Sequence, residues 1–207
     1  MLMRSGRYVS HCPYGYTKIK GQKHHMVPDP ETAPIVRDIF LWAIEGKKST
    51  EIARILNEKH IPTPMQYKKL SRQGMDNDAM WCHQAVIRII RDYKYTGAMV
   101  SFKCGNETIR AKVQKRYAPE DYVINEGMHE PIVTHEEYYA ANDTLRKVKK
   151  YDVVRTDRRD RVYYCGHCGR RLRKTFGSDE YYSCATPLYI RDAPCAGIHW
   201  SRTNIED

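Results

Sequence analysis

Nowhere in these 207 residues does an apolar run approach the roughly 18 needed to cross a bilayer. The opening Met-Leu-Met-Arg also lacks the apolar h-region of a secretory signal. The expected location is therefore the cytoplasm, with no membrane among the partners. Neither an internal repeat nor a low-complexity tract is present, so the chain reads as globular. The cysteines do not form an even set: there are seven, with Cys12, Cys82 and Cys104 scattered singly. That count fits a reducing compartment better than a disulfide framework. Acidic residues are the other shortage, 25 against 35 Lys and Arg, for a formal net charge of +10. With 41% apolar residues the chain can still bury a core, as one large domain or two small ones.

The remaining four cysteines are ordered. Cys165 and Cys168 make a C-x2-C pair, followed by Cys184 and Cys195. A two-residue gap lets a tight knuckle aim both sulfurs at one ion, with Gly166 and Gly169 supplying backbone freedom. The second half is looser, since a ten-residue loop containing Pro187 and Pro194 must bring Cys184 and Cys195 together. Four thiolates in this pattern point to a structural Zn2+. The competing readings are reduced buried thiols or a redox pair, but no βαβ pattern surrounds the C-x2-C. His167 and His199 are alternate ligands, although His167 lies between two cysteines and would have to turn away from the ion they hold.

Most of the excess positive charge lies beside this cluster. Between Leu145 and Lys174 there are twelve Lys or Arg against three Asp, a net of +9. A charge run usually marks a solvated face, but one flanking a metal-organised hairpin offers a phosphate-binding surface, here Arg170, Arg171, Arg173 and Lys174.

Along the chain, Pro13-Tyr14-Gly15-Tyr16 marks a turn, and Asp29 with Pro30 predicts a helix over 30–45 with Ile35, Val36, Ile39, Phe40 and Ala43 at helical spacing. Ser49 caps a second helix over 50–59, closed by Ile61-Pro62-Thr63-Pro64. After a polar stretch, Trp81 leads into a third helix over 82–92 that buries Ala85, Val86, Ile89 and Ile90. Gln84, Ile87, Arg88 and Arg91 fall at i, i+3, i+4 and i+7, on the opposite face. Two short helices, the second presenting Gln and Arg outward, suggest a helix-turn-helix, because Gln can pair with adenine and Arg with guanine in the major groove. A solvated amphipathic helix is the plain alternative. Further on, 98–103 and 108–114 around Gly105-Asn106 suggest a hairpin, with 122–124 as another strand. Thr134-His135-Glu136-Glu137 is a capping box for a helix to about Val148 that buries Tyr138, Ala141, Leu145 and Val148. Tyr163-Tyr164 and Tyr181-Tyr182 read as short strands before their cysteines. The fold class is thus α+β: a helical, helix-turn-helix-like domain over 1–105, then a zinc-ribbon domain over 106–207 with short hairpins and one helix.

Taken together, Pro13-Tyr14-Gly15-Tyr16, the Ser49 to Asn57 helix with its prolines, Trp81 with the helix after it, Tyr95-Thr96-Gly97, His129-Glu130-Pro131-Ile132-Val133 and the spaced cysteines resemble the C-terminal region of large serine recombinases, the transposon resolvases and phage integrases. The resemblance implies a recombinase domain and a zinc ribbon that both grip half of an attachment site in double-stranded DNA. It implies that the third helix, with His83, Gln84, Arg88 and Arg91, enters the major groove. It also implies that Arg4 and Arg7 track the minor groove, that Lys18 and Lys20 contact phosphates, and that the ribbon reads the outer half-site. The insertion over 66–79 is similar to that of transposon-type members. In such enzymes a catalytic serine domain precedes this region and a coiled coil follows it. Neither is expected here, so the fragment is expected to be inactive alone, possessing no catalytic residue. The parent is expected to self-associate, and the fragment to be monomeric off DNA.

Two other classes compete. One is a zinc-ribbon module that binds RNA, single-stranded nucleic acid or a protein partner, stacking bases on Tyr163, Tyr164, Phe176, Tyr181 and Tyr182 beside the basic residues. The plain reading of those tyrosines is that they fill the ribbon's small core. The other class is an enzyme. His167-Cys168-Gly169-Arg170 spells the H-x-x-R of tyrosine recombinases, but shares Cys168 with the knuckle. A hydrolase would need an open metal position, which four cysteines do not leave. Glu120, Asp121, Glu136 and Glu137 have no partnering histidine cluster, and the adjacent His24 and His25 cannot share a helix face.

Overall fold

A computed structural model describes residues 5, 12–19, 21–22, 24–68, 79–105, 115–145, 162–175, 181–201 and 203–204. In chain order the elements are β1 (Tyr16–Lys18), β2 (Met26–Pro28), α1 (Ala33–Ile44), α2 (Ser49–Glu58), α3 (Pro64–Tyr67), α4 (His83–Ile90), β3 (Met99–Ser101), β4 (Cys104–Gly105), β5 (Lys115–Arg116), β6 (Val123–Asn125), α5 (His135–Thr144), β7 (Arg173–Thr175), β8 (Tyr181–Ser183) and β9 (His199–Ser201). Short 3-10 turns occupy Tyr93–Thr96, Pro119–Asp121 and Thr186–Leu188. The mixture of helices and small sheets is α+β. The chain forms two compact units, Met1–Lys48 with Gln84–Leu145 and Ser49–His83 with Arg146–Asp207. The boundary expected at residue 105 lies between β4 and β5, which pair Cys104 with Arg116.

The first unit is built around Val36, Ile39, Phe40, Val86, Ile90 and Tyr95, all essentially inaccessible to solvent. α1 begins three residues later than predicted. Asp29 explains the delay: its carboxylate accepts from the Glu31 N–H and the Thr32 hydroxyl, closing a turn, so that Thr32 becomes the N-cap and Pro34 falls in the first helical turn. α1 packs against α5, where Phe40 meets Tyr138 at 6.5 Å between ring centroids and Arg37 pairs with Glu137 at 2.8 Å. The predicted capping box is present: the Thr134 hydroxyl accepts from Glu137 N–H, and the Glu137 carboxylate accepts from Thr134 N–H. α5 stops at Thr144, and Ala141 is its fully buried residue, with Tyr138 and Leu145 half-buried. Val148 lies outside the described residues.

The motifs carrying the family resemblance converge here. The Tyr95 hydroxyl donates to Tyr14 O, and the Tyr16 hydroxyl donates to Glu130 O. Tyr95 O accepts from the N–H groups of both Ile132 and Val133. Gly97 sits at φ +90°, and a Cβ there would come within 2.8 Å of His129 O, so glycine is required twice over. These motifs therefore hold the unit together.

The predicted hairpin is corrected. β3 pairs antiparallel with β6, Val100 opposite Ile124, while Cys104 and Gly105 form β4, which pairs with β5. Residues 108–114 lie outside the described residues.

In the second unit α2 buries Ile52, Ala53 and Leu56. The prolines predicted only to end it also start α3: Pro64 occupies its first turn, and Thr63 and Gln66 form a reciprocal capping box. Asn57 staples this segment, accepting from Trp81 N–H at 2.8 Å and donating to Trp81 O and Tyr189 O. The Trp81 indole donates to Ile61 O at 2.8 Å. Strands β7, β8 and β9 form an antiparallel sheet in that order.

Candidate metal centre and nucleic-acid interface

The knuckle is a turn over 166–168 closed by Gly169 N–H to Cys165 O and by Cys165 N–H to Arg170 O, each 2.8 Å. Gly169 takes φ +65°, the left-handed position that glycine tolerates; Gly166 does not, so one of the two glycines carries the turn. Cys184 follows β8. The loop after it folds through the 3-10 turn at Thr186–Leu188 and a turn from Ala193 to Ala196, returning Cys195 to the cluster. The ligand atoms of Cys165, Cys168, Cys184 and Cys195 all lie within 4.8 Å of one another. Cys184 Sγ is 3.5 Å from both Cys168 Sγ and Cys195 Sγ. Sulfurs bound tetrahedrally to zinc at about 2.3 Å sit roughly 3.8 Å apart, so the donor set fits such an ion. His167 and His199 are exposed and outside this group.

The thiols are electrostatically unequal. Burial raises Cys168, yet hydrogen bonds from Thr186, the Arg170 backbone, Cys184 and Cys165 outweigh it and bring the group down to about 6. Cys195, fully buried and beside Cys184 and Cys168, is pushed up to about 12, chiefly by burial. A bound dication would favour the thiolate form at all four positions.

Around the cluster, Cys165, Leu172, Tyr182, Ala193 and Cys195 form a small core, with Tyr163, Cys168, Cys184 and Ile198 packed against it. Tyr163 and Tyr182 meet edge to face at 4.9 Å. Pairing divides the basic residues. Tyr164 bridges to Arg171, and Arg173 lies opposite Ser183, which lies opposite His199. By the period of two, Tyr164, Arg171 and Arg173 share the exposed face, while Leu172 and Tyr182 face the core. Lys174 pairs with Tyr182 on the core side and is half-buried, as is Arg170. Tyr181 is half-buried on His199, and Phe176 lies outside the described residues.

α4 presents the face its spacing predicts. Val86, Ile89 and Ile90 are buried, whereas Gln84, Arg88 and Arg91 are exposed. Ala85 and Ile87 are half-buried. His83 differs: its ring stacks on Tyr189 at 6.0 Å and hydrogen-bonds to the Tyr189 hydroxyl, and burial, then Arg173, lowers its pKa. Lys18 is exposed on β1. Arg4, Arg7 and Lys20, with the basic stretch 146–161, lie outside the described residues. Sequence reasoning missed Thr186, whose hydroxyl lies 3.3 Å from two of the sulfurs; only its place two residues after Cys184 hinted at it. Among the described residues no helix is long and apolar enough to cross a membrane.

The family model described as Recombinase matches residues 30–148, more than half of the chain. No curated protein matches it. A solved structure described as "Sequence Requirements of the Listeria innocua prophage attP site" is 18% identical, with a TM-score of 0.42, over 99% of this chain and 79% of its own. Another, "Crystal Structure of a LSR-DNA Complex", is 17% identical, with a TM-score of 0.40, over 99% of this chain; the chain spans 58% of its length. Likenesses of that size add little beyond the family match, which covers the first unit's core from Pro30 and the outward face of α4. On that match the chain belongs to the Recombinase family.

Proposed function

We propose that this chain binds one half of an attachment site in duplex DNA, as the DNA-gripping C-terminal part of a large serine recombinase. The observation that carries the reading is α4, a helix that buries Val86, Ile89 and Ile90 while Gln84, Arg88 and, just past its end, Arg91 are exposed. Gln and Arg are the side chains that read adenine and guanine edges in pairs, and a helix fits the major groove. In this reading α4 acts as the recognition helix. The ribbon's outward Arg171 and Arg173 add phosphate contacts, and its four cysteines hold a structural Zn2+ that takes no chemical part in strand exchange.

Binding of the chain to attachment-site duplex and to scrambled duplex, followed by anisotropy across a salt series, tests this. Preference for the site and a steep salt dependence are expected. Arg88→Ala should weaken the specific complex by about 1–3 kcal/mol while leaving scrambled duplex nearly unaffected. Equal losses on both duplexes would reduce Arg88 to a phosphate contact. A second reading has one observation in its favour: Tyr164 is 65% exposed beside Arg171, as a base-stacking platform would be. Tighter binding to single strands than to duplex would replace the first reading with that one.

A further inference from the structure

Thr186 is only 3% exposed, yet its hydroxyl is not spent on the backbone of its own turn. It lies 3.3 Å from Cys168 Sγ and 3.3 Å from Cys184 Sγ. These sulfurs come from different halves of the cluster, one from the knuckle and one from the end of β8. The residue's main chain is anchored independently, because Thr186 O accepts from the N–H groups of Tyr189 and Ile190. The hydroxyl is thus aimed by the 3-10 turn rather than by the thiols it touches.

A hydroxyl has one proton to donate and lone pairs to accept with, and in the thiol form the Cys184 S–H donates to it. A metal-bound thiolate has no proton and can only accept. The direction of the bond must then reverse, with Thr186 donating to sulfur. Groups that hydrogen-bond to ligands in this way fix their orientation and tune the metal's affinity.

We infer that Thr186 is a positioning residue of the metal centre, its hydroxyl bridging the two halves of the cysteine set and donating to a ligand thiolate when metal is bound. The inference rests on the proposal that the four cysteines hold zinc. No bond to the metal is made or broken by Thr186, and no proton leaves the protein through it.

Three forms of the full chain decide the matter: wild type, Thr186→Val and Thr186→Ser. Valine keeps the shape without the hydroxyl, and serine keeps the hydroxyl without the methyl. Each is titrated with zinc against a chromophoric chelator, and with cobalt(II) to record the sulfur-to-metal charge-transfer band. Thr186→Val should bind metal about 10- to 100-fold more weakly. Its charge-transfer band should move to longer wavelength, since a thiolate relieved of a hydrogen bond gives up electron density more readily. Thr186→Ser should stay within about threefold of wild type, with an unshifted band. Wild-type affinity and band position in Thr186→Val would overturn the inference, as would equal loss in Thr186→Ser. The serine form decides alone if valine prevents loading. Failure of the wild-type chain to take up either metal would instead defeat the zinc reading itself.

Discussion

The first unit closes over Phe40, Ile39, Val36 and Tyr95, side chains large enough that each contributes about 1.5–3 kcal/mol on burial. The ribbon from Tyr163 to Ser201 has a much smaller inventory. Among the described residues its buried side chains are Leu172, Tyr182, Thr186, Tyr189, Ala193 and two of its own cysteines. The first unit holds itself together with hydrophobic surface and backbone hydrogen bonds contributed by its family motifs, while the ribbon invests four polar sulfurs in its centre. Such a centre is tolerated as neutral thiols but is costly as thiolates unless a cation sits among them. Two modules in one chain thus reach order by different physical means, and each should fail under a different insult.

The sharpest test of that contrast is removal of the zinc proposed for the four cysteines, by chelation or by Cys184→Ser. Binding at structural zinc sites is worth on the order of 10 kcal/mol near neutral pH, so the ribbon should lose its order completely. α1, α4 and α5 should persist, as read by amide resonances or protease protection. One zinc per chain is expected before chelation, and collapse of both units together would erase the distinction. The converse insult is Phe40→Ala, which leaves a void beside Tyr95, whose ring now lies 5.8 Å from that of Phe40. A loss of about 3–5 kcal/mol from the first unit is expected, with zinc content unchanged.

A milder probe is acidity, applied to chelated protein so that only the first unit is read. His129 is buried, donates from Nε2 to Lys94 O at 2.7 Å, and meets the edge of Tyr16. Burial, outweighing that hydrogen bond, holds its pKa below the ordinary 6.5. The folded form therefore takes up a proton less readily than the unfolded chain. Well above 6.5 His129 is neutral in both states and contributes no pH dependence, and stability should fall as pH drops through that value. Replacing it with Gln should flatten the thermal-midpoint profile between pH 6.5 and 5; an unchanged slope would assign the acid sensitivity elsewhere.

The same division explains which features could be read from sequence. Helices that bury a stripe, α1, α2, α4 and α5, announced themselves through spacing, because local periodicity and the buried face are the same fact. α3 did not, being one turn long. Yet Thr63-Pro64-x-Gln66 carried a capping box and a first-turn proline that outrank the terminating role assigned to those prolines. The partner of β3 was misread because nothing local distinguishes a strand 20-odd residues away from one just past a Gly-Asn turn. In the ribbon the four cysteines were legible from number and spacing. The side each basic residue takes depends on strand register, which separates Arg171 and Arg173 from Lys174. Thr186 was invisible because its meaning comes from a turn, and from a sulfur eighteen residues away.

Asn57 and Trp81 are joined side chain to backbone in both directions, with the Trp81 indole tied to Ile61 as well. The same amide also donates to Tyr189 O, so one side chain holds three backbone groups drawn from two distant places in the sequence. Its loss would remove three hydrogen bonds at a stroke, each worth about 0.5–1.5 kcal/mol net.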